Sequence, residues 1–223
     1  MVWHWLHAGG GLHVHSGCGQ ESTLDLTTRF RGIADVVDGD SDDATLLSHV
    51  GRGHRDALEL LYRRHGGSIL RFLRQVCGSP ELAEEVLQET LLAVWKGASR
   101  FRAQSSAQTW IFEIARRQAH TVMRRKRLEM VSDDALGDVS DSDLGPADLA
   151  IASATRDALN LALSKLSLPH REVIVLALIE GLPYGEVARI TGVPVGTVRS
   201  RLNHARLAMR KLLDEAEMGP NAD

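Results

Sequence analysis

The feature that most constrains this chain is a helical spacing of apolar residues that runs from about residue 41 to residue 213 with one interruption. The interruption, residues 131–150, contains six Asp, two Gly and Pro146, and it has no sustained apolar face. No segment of useful length shows the alternation that is typical of a strand. The pattern predicts an all-α fold in which two helical domains are joined by a flexible acidic linker.

Local signals predict where the first helices begin and end. Ser41 is a candidate cap for a helix whose first turn holds Asp42 and Asp43. The next helix has an apolar face from Ala57 onward, and the pair Gly66-Gly67 is expected to end it. Ser68 then opens a further helical segment.

Two later helices have stronger start signals. Ser79-Pro80-Glu81 combines a capping hydroxyl, a proline at the first helical position and an acid in the first turn, and this helix should run to about Gly97. Another helix is expected to begin near Ser106 and to end in the basic run 124–127.

Composition excludes several classes of protein. With 223 residues and 43% hydrophobic residues the chain can bury a core, so a wholly disordered protein is excluded. The longest apolar run, residues 173–179, is far too short to span a membrane, and no secretory signal is visible at the N-terminus. Two cysteines, Cys18 and Cys77, make no disulfide framework. We expect a cytoplasmic protein.

The net charge of −3 hides a segregated distribution. Residues 99–127 carry +7 and residues 189–211 carry +6, whereas residues 131–157 between them carry −6. Two cationic blocks beside helical apolar patterns indicate two polyanion-binding surfaces. The alternative for either block is an ordinary solvated helix surface.

The most specific motif lies near the C-terminus. Ala188, Gly192 and Val198 have the spacing of a helix-turn-helix, in which the glycine takes a left-handed conformation and the valine anchors the second helix. The second helix would fit the major groove of DNA. Its candidate DNA-binding residues are Thr197, Arg199, Ser200, Asn203, His204 and Arg206.

Segments in both halves resemble one family. In the C-terminal half these are residues 168–173 (LPHREV), 180–182 (EGL), 185–188 (GEVA) and 193–202 (VPVGTVRSRL), and in the N-terminal half residues 83–90 (AEEVLQET), 109–111 (TWI) and 114–116 (IAR). The chain resembles the sigma-70 family of bacterial transcription initiation factors, in its extracytoplasmic-function (ECF) group. The resemblance covers about residues 42–213 and implies a protein that directs core RNA polymerase to promoters and promotes melting of the −10 element.

The resemblance implies roles for two helices of the N-terminal half. An acidic helix would bind core RNA polymerase through Glu84, Glu85, Gln88, Glu89, Leu92 and Trp95. The basic block would hold the melted −10 strand through Arg102, Trp110, Arg116, Arg117, Arg124, Arg125 and Arg127. Without the resemblance, the acidic residues of the first helix are better explained as a solvated helix face. The helical spacing of Trp110 favours a place in the core over a role as a stacking platform for bases.

The sequence departs from the family pattern at several positions. Arg117 stands where the family often has Asn, so the family's −10 preference does not transfer. Asn203 and His204 replace an aromatic residue and an Arg, which implies a different −35 base preference or a weaker phosphate contact. Pro183 replaces a capping hydroxyl.

The resemblance also implies a division of the chain. It gives a region 2 domain (41–130) and a region 4 domain (153–214), and composition adds an acidic linker (131–152) and a tail (215–223). The N-terminal extension (1–40) lies outside the family pattern and is expected to be a disordered tail or the result of a mis-assigned translation start. The linker reads equally well as a mimic of RNA phosphates and as a solvated tether. An anti-sigma factor is an expected partner, and neither a cofactor nor a catalytic residue is expected.

The N-terminal extension contains five potential metal ligands: His4, His7, His13, His15 and Cys18. Their spacing matches no defined zinc site and a triglycine interrupts it, so we expect no metal there. Three other functions compete with the sigma role: a stand-alone helix-turn-helix regulator, an enzyme, and a protein that binds polymerase but not DNA. No dimer helix supports the first, no nucleophile–base pairing supports the second, and the third would leave the basic blocks unused.

Overall fold

The computed structural model describes residues 40–132 and 150–218. This part of the chain contains eight α-helices and no strand. None of the described helices is long and apolar enough to cross a membrane. The helices are α1 (Asp43–Gly51), α2 (Arg55–Cys77), α3 (Pro80–Gly97), α4 (Ala107–Ser132), α5 (Ala150–Ser164), α6 (Leu168–Ile174), α7 (Tyr184–Thr191) and α8 (Val195–Met218).

The first helix is capped by a different residue from the one predicted. Asp42, and not Ser41, is the N-cap, and its Oδ1 accepts hydrogen bonds from the backbone N–H groups of Ala44 and Thr45, both at 2.9 Å. The carboxylate satisfies two donors that have no partner within the helix and also favours the positive end of the dipole. These hydrogen bonds lower the pKa of Asp42, with the backbone N–H of Thr45 contributing most.

The prediction that a helix ends at Gly66-Gly67 is wrong. Helix α2 runs unbroken through both glycines and ends only at Gly78, which has a left-handed φ of 73°. Gly66 is buried, and a Cβ atom there would lie 2.7 Å from the ring of Tyr62. Each helical glycine costs about 1 kcal/mol relative to alanine. Burial of large side chains on both sides of the pair, such as Leu61 and Ile69, contributes about 1.5–3 kcal/mol each and outweighs that cost.

The predicted start of α3 is confirmed. Ser79 caps the helix by accepting a hydrogen bond from the backbone N–H of Leu82 at 3.2 Å, and Pro80 occupies the first helical position. The helix ends at Gly97, as expected. Ser106 likewise precedes α4 and accepts from the N–H of Thr109 at 3.1 Å. Helix α4 continues to Ser132, beyond the basic run at which it was expected to end.

Helices α1–α4 form the first helical group. Its core is apolar, and the rings of Phe72 in α2 and Phe112 in α4 meet edge to face with their centroids 5.6 Å apart. Of the segment predicted as the linker, residues 131–132 and 150–152 are helical, and residues 133–149 lie outside the described residues.

Helices α5–α8 form the second helical group and include the predicted helix-turn-helix, made by α7 and α8. Gly192 ends α7 with φ 69° and ψ 29°, the left-handed conformation that its place in the motif requires. Val198 is fully buried, as its anchoring role demands. Between α6 and α7 the chain makes a π-helical turn over Val175–Ile179.

The two groups pack against each other. The described residues from Asp42 onward belong to one compact unit, in which α4 lies against α7 and α2 lies against both α5 and α6. The two cationic blocks of the sequence therefore lie in the same compact unit.

Candidate nucleic-acid and polymerase interfaces

Helix α8 exposes the face that the sequence assigned to duplex DNA. Val198, Leu202 and Ala205 are buried on the opposite face and fix the rotation of the helix about its axis. Among the candidate DNA-binding residues, Thr197 is half-buried, and Arg199, Ser200, Asn203, His204 and Arg206 are exposed. Most of this face is therefore in contact with solvent.

His204 lies beside a second histidine. The ring of His170, from the first turn of α6, meets that of His204 edge-on with the centroids 6.1 Å apart. Burial lowers the pKa of His170, and the neighbouring His204 and Arg201 lower it further. The lowered pKa favours the neutral form of His170 beside the candidate recognition residues.

The arginines of the basic block occupy two kinds of environment. Arg102, Arg117, Arg124, Arg125 and Arg127 are exposed, and among the described residues no carboxylate lies within 4 Å of Arg117, Arg124 or Arg127. Arg116, in contrast, donates from Nε to the carboxylate of Glu172 in α6 at 2.9 Å. One of the candidate −10 residues is thus engaged by the second helical group.

Trp110 is half-buried at the start of α4. Its ring lies 5.4 Å from that of Phe101, centroid to centroid, and at van der Waals distance from the position of a Cβ on Gly97. These contacts fit the packing role that the sequence favours for it and leave part of the ring accessible.

Helix α3 is amphipathic, with an apolar face on one side and an acidic face on the other. Leu82, Val86 and Leu87 are buried against the rest of the first group. The candidate polymerase-binding residues are on the other side: Glu84, Glu85, Gln88, Glu89 and Leu92 are exposed, and Trp95 is half-buried. The pairs of Glu84 with Arg74 (3.6 Å) and Glu85 with Lys126 (4.0 Å) are exposed, so they contribute little to stability.

Sequence reasoning missed the residues that join the two groups, above all Glu172. Only 1% of its side chain is exposed, and its carboxylate also accepts a hydrogen bond from Nε2 of His120 at 2.6 Å. A buried carboxylate is costly unless it is paired, and both of these partners come from α4 of the other group. If the two groups separated, the carboxylate of Glu172 would lose both partners and be exposed to water.

Two further carboxylates of the second group bind the first. Glu180 accepts two hydrogen bonds of 3.1 Å from Arg71 in α2. Glu186 accepts from the hydroxyl of Thr109 and, at 3.3 Å, from that of Ser106.

The backbone joins the groups as well, through Arg171. Its guanidinium donates to the carbonyl of Gln75 in α2 at 2.8 Å, and to the carbonyls of Ser164 and Leu166 in its own group. The groups are thus joined by directional polar contacts.

One sequence signal marks Glu172 in retrospect. It opens the run Glu172-Val173-Ile174-Val175-Leu176, whose other members are all buried aliphatics. A carboxylate at the edge of a buried helix segment indicates a paired acid, but the sequence does not say which cation pairs with it.

The described residues contain no group of three or more His, Cys, Asp or Glu placed to hold a metal ion. Burial raises the pKa of the Cys77 thiol to about 11, so it stays protonated and is a poor metal ligand at neutral pH. The N-terminal cluster of His4, His7, His13, His15 and Cys18 lies outside the described residues.

Comparisons with known proteins match both helical groups. The sigma-70 region 2 family matches residues 61–129, and the sigma-70 region 4 family matches residues 156–209. The chain is 30% identical to ECF RNA polymerase sigma factor SigM of Mycobacterium tuberculosis, over 81% of this chain and 89% of the relative. It is also 30% identical to the RNA polymerase sigma-H factor of Pseudomonas aeruginosa, over 77% and 93% of the two chains.

Solved structures are similar too. CnrH in complex with the cytosolic domain of CnrY has a TM-score of 0.57 and 25% identity, covering 79% of this chain and 98% of that one. The sigma factor RpoE in complex with the anti-sigma factor NepR, from Bartonella quintana, has a TM-score of 0.59 and 26% identity, covering 70% and 96%.

Proposed function

This chain belongs to the ECF group of the sigma-70 family, and from that premise we propose how its two helical groups share the recognition of a promoter. As a sigma factor it directs core RNA polymerase to promoters. The observation that carries the proposal is that regions 2 and 4 match the two groups in order, and that each group has its own cationic helix. Residues 41–130 and 153–214 are then the two functional domains.

The second group reads the −35 duplex through α8. Arg199 and Ser200 stand in the first turns of the helix with their side chains in solvent, where a major groove would meet them. Asn203 and His204 come one turn later and supply an amide and an imidazole. Each good bidentate contact with a base discriminates by about 1–3 kcal/mol.

The first group holds the melted −10 strand along α4 and binds polymerase through α3. Arg117, Arg124 and Arg127 are accessible for phosphates, whereas Arg116 donates its Nε to Glu172 and has only 24% of its side chain exposed. The acidic face of α3, with Leu92 and Trp95 as apolar anchors, suits a protein interface. Separation of the two groups would release Arg116 from Glu172 and make the whole basic face of α4 available to promoter DNA.

Partners and location are inferred from the family. Sigma factors are generally non-enzymatic initiation factors, and we expect this chain to act by binding alone, without a cofactor, in the cytoplasm where polymerase works. The similar structures include a sigma factor bound to an anti-sigma factor. An anti-sigma factor that binds this chain is accordingly part of the proposal.

The test is run-off transcription with purified core polymerase and a library of upstream fragments from the host genome. Defined transcripts that depend on the added protein are expected. Arg199→Ala should lower their yield by about 5- to 150-fold, because one base contact of about 1–3 kcal/mol is lost. Arg210→Ala, at an exposed arginine farther along α8, is the matched control and should retain the yield.

The same experiment separates the rival function. A stand-alone regulator would shift duplex DNA without polymerase and would yield no specific transcript with it. That outcome, or equal yields from the two arginine variants, would contradict the proposal.

A further inference from the structure

A cavity of about 700 Å³ opens between α4 of the first group and α7 of the second. Both helices supply arginines to its wall: Arg116, Arg117, Arg124 and Arg127 from α4, and Arg189 from α7. Glu113 is the one carboxyl group among the described residues that line it. We call this cavity the arginine cleft.

The residues of α4 that line the cleft form a regular stripe. Glu113, Arg117, His120, Arg124 and Arg127 succeed one another at spacings of four, three, four and three, which places them on one face of a helix. The helix-turn-helix places Arg189, in the last turn of α7, on the opposite wall. Cations that are 62 or more residues apart in sequence therefore share one cleft.

Among the described residues most of this positive charge has no paired carboxylate, and Glu113 interacts with Arg117 and Arg189 only beyond 4 Å. Arg116 is paired with Glu172, but no carboxylate of the described residues lies within 4 Å of Arg117, Arg124, Arg127 or Arg189. Like charges that share a cleft repel one another, and its walls weaken solvent screening. An anion between the walls would relieve the repulsion within α4 and also that between α4 and Arg189.

The donor chemistry indicates which anion would bind. A guanidinium presents a planar fork that matches two oxygens of a phosphate, and several forks on facing walls match several linked phosphates. The volume lies within the range of about 300–1,000 Å³ that is usual for small-molecule sites. Among the described residues, the lining contains no Phe, Tyr or Trp on which a base could stack, so recognition would depend on the phosphates.

We propose that the arginine cleft binds one oligophosphate anion, which bridges α4 and α7 and holds the two helical groups together. The anion occupies arginines that the −10 strand would otherwise contact, so it competes with promoter DNA. Binding to the free protein requires neither polymerase nor promoter. The proposal can therefore fail while the sigma function stands, and the reverse also holds.

The test is calorimetric titration of the full chain with inorganic triphosphate, without magnesium and at low salt. We expect one anion per chain. Arg189→Gln should weaken binding about tenfold or more, because it removes a charged donor from one wall. Arg210→Gln, at an exposed arginine of the same group outside the cleft, is the matched control and should bind like the parent chain. Thermal melts of both variants verify folding.

A second variant should shift binding in the opposite direction. Glu113→Gln removes the negative charge from the wall, and triphosphate should then bind several-fold more tightly. Equal affinities of the Arg189→Gln and Arg210→Gln chains, or no tightening by Glu113→Gln, would overturn the proposal. So would several anions per chain with no effect of Arg189, the behaviour of an adventitious ion only.

Further titrations identify the source of the phosphates. If a nucleoside triphosphate binds as tightly as inorganic triphosphate, the phosphates alone are recognised, whereas tighter binding of the nucleotide identifies it as the ligand. Both results support the cleft as an oligophosphate site. If only a short single-stranded DNA binds, and Arg189→Gln leaves its affinity unchanged, the arginines of α4 serve nucleic acid alone and the bridging site does not exist.

Discussion

The two cationic helices of this sigma factor differ in what faces them. The candidate DNA-binding face of α8 lies in solvent, with Arg199 and Arg206 exposed. The basic face of α4 lies opposite the second helical group, and Arg116 is held by the buried Glu172. The surface proposed for −35 duplex is thus presented by the folded chain, whereas the surface proposed for the −10 strand is partly covered.

The contacts between the two groups differ in kind from those within each group, and this difference bears on how the second group can move away from α4. Within the first group, large apolar side chains such as Phe72 and Phe112 pack against each other, and separating them would expose apolar area to water. Between the groups, Glu172, Glu180 and Glu186 bind charged or polar partners that water can also solvate. We therefore expect the groups to separate at a smaller cost in free energy than either would need to unfold.

The largest effect is expected from a substitution that destabilises the second group, which carries the exposed face of α8. Val198→Asp places an unpaired carboxylate at a fully buried site of the helix-turn-helix, and we expect it to destabilise the second group by about 3–5 kcal/mol. Urea denaturation monitored by circular dichroism measures the loss. DNA recognition by α8 should disappear, while core polymerase should still bind through α3.

The control for this change is Val195→Asp. Val195 is 37% exposed and lies in the first turn of α8, where a carboxylate is favoured by the helix dipole. If the two variants had the same denaturation midpoint, the anchoring role of Val198 would be refuted.

An intermediate effect is expected from weakening the polar contacts by which the second group packs on α4. Glu172→Gln removes the charge that Arg116 and His120 share, and we expect the packing of the groups to lose about 1–3 kcal/mol. Small-angle scattering should then show a larger radius of gyration for the free chain.

Glu84→Gln, at an exposed acid of α3, is the control and should leave the radius unchanged. An unchanged radius in the Glu172→Gln chain as well would mean that this carboxylate does not hold the groups together.

The smallest effect is expected at the second ion pair between the groups. Among the described residues, Glu180 pairs with Arg71 alone. The side chain of Arg71 is 57% exposed and that of Glu180 is 2% exposed, so water already stabilises the cation, and Glu180→Gln should cost about 1 kcal/mol. Scattering under the same conditions should show a smaller expansion than Glu172→Gln produces. An equal or larger expansion would reverse the assignment of Glu172 as the main contact.

Local signals in the sequence predicted the local structure well. The Ser79-Pro80 start of α3 and the left-handed Gly192 of the turn are confirmed because each depends on residues within one helical turn. The break expected at Gly66-Gly67 was wrong because the packing of α2 outweighs the low helix propensity of glycine. The helix-turn-helix spacing predicted that the candidate DNA-binding face of α8 is exposed, and the structure agrees. The role of this face in reading DNA stays a prediction.

The contacts between the groups could not be predicted in this way. Glu172 and Arg116 are 56 residues apart, and Glu180 and Arg71 are 109 residues apart. No spacing rule for helices relates such positions, because their approach depends on how whole helices pack. The arginines of α4 were recognised as a basic block, but the cleft that they share with Arg189 emerges only from the folded chain.

The π-helical turn at Val175–Ile179 sets the rotational phase of the residues that come after it. The backbone N–H of Glu180 bonds to the carbonyl of Val175, five residues back, so the turn holds one residue more than an α-helical turn would. An extra residue rotates every later side chain by about 100° around the helix axis. This turn therefore sets the direction in which Glu180 reaches Arg71, and deletion of one residue from it should direct the same carboxylate elsewhere.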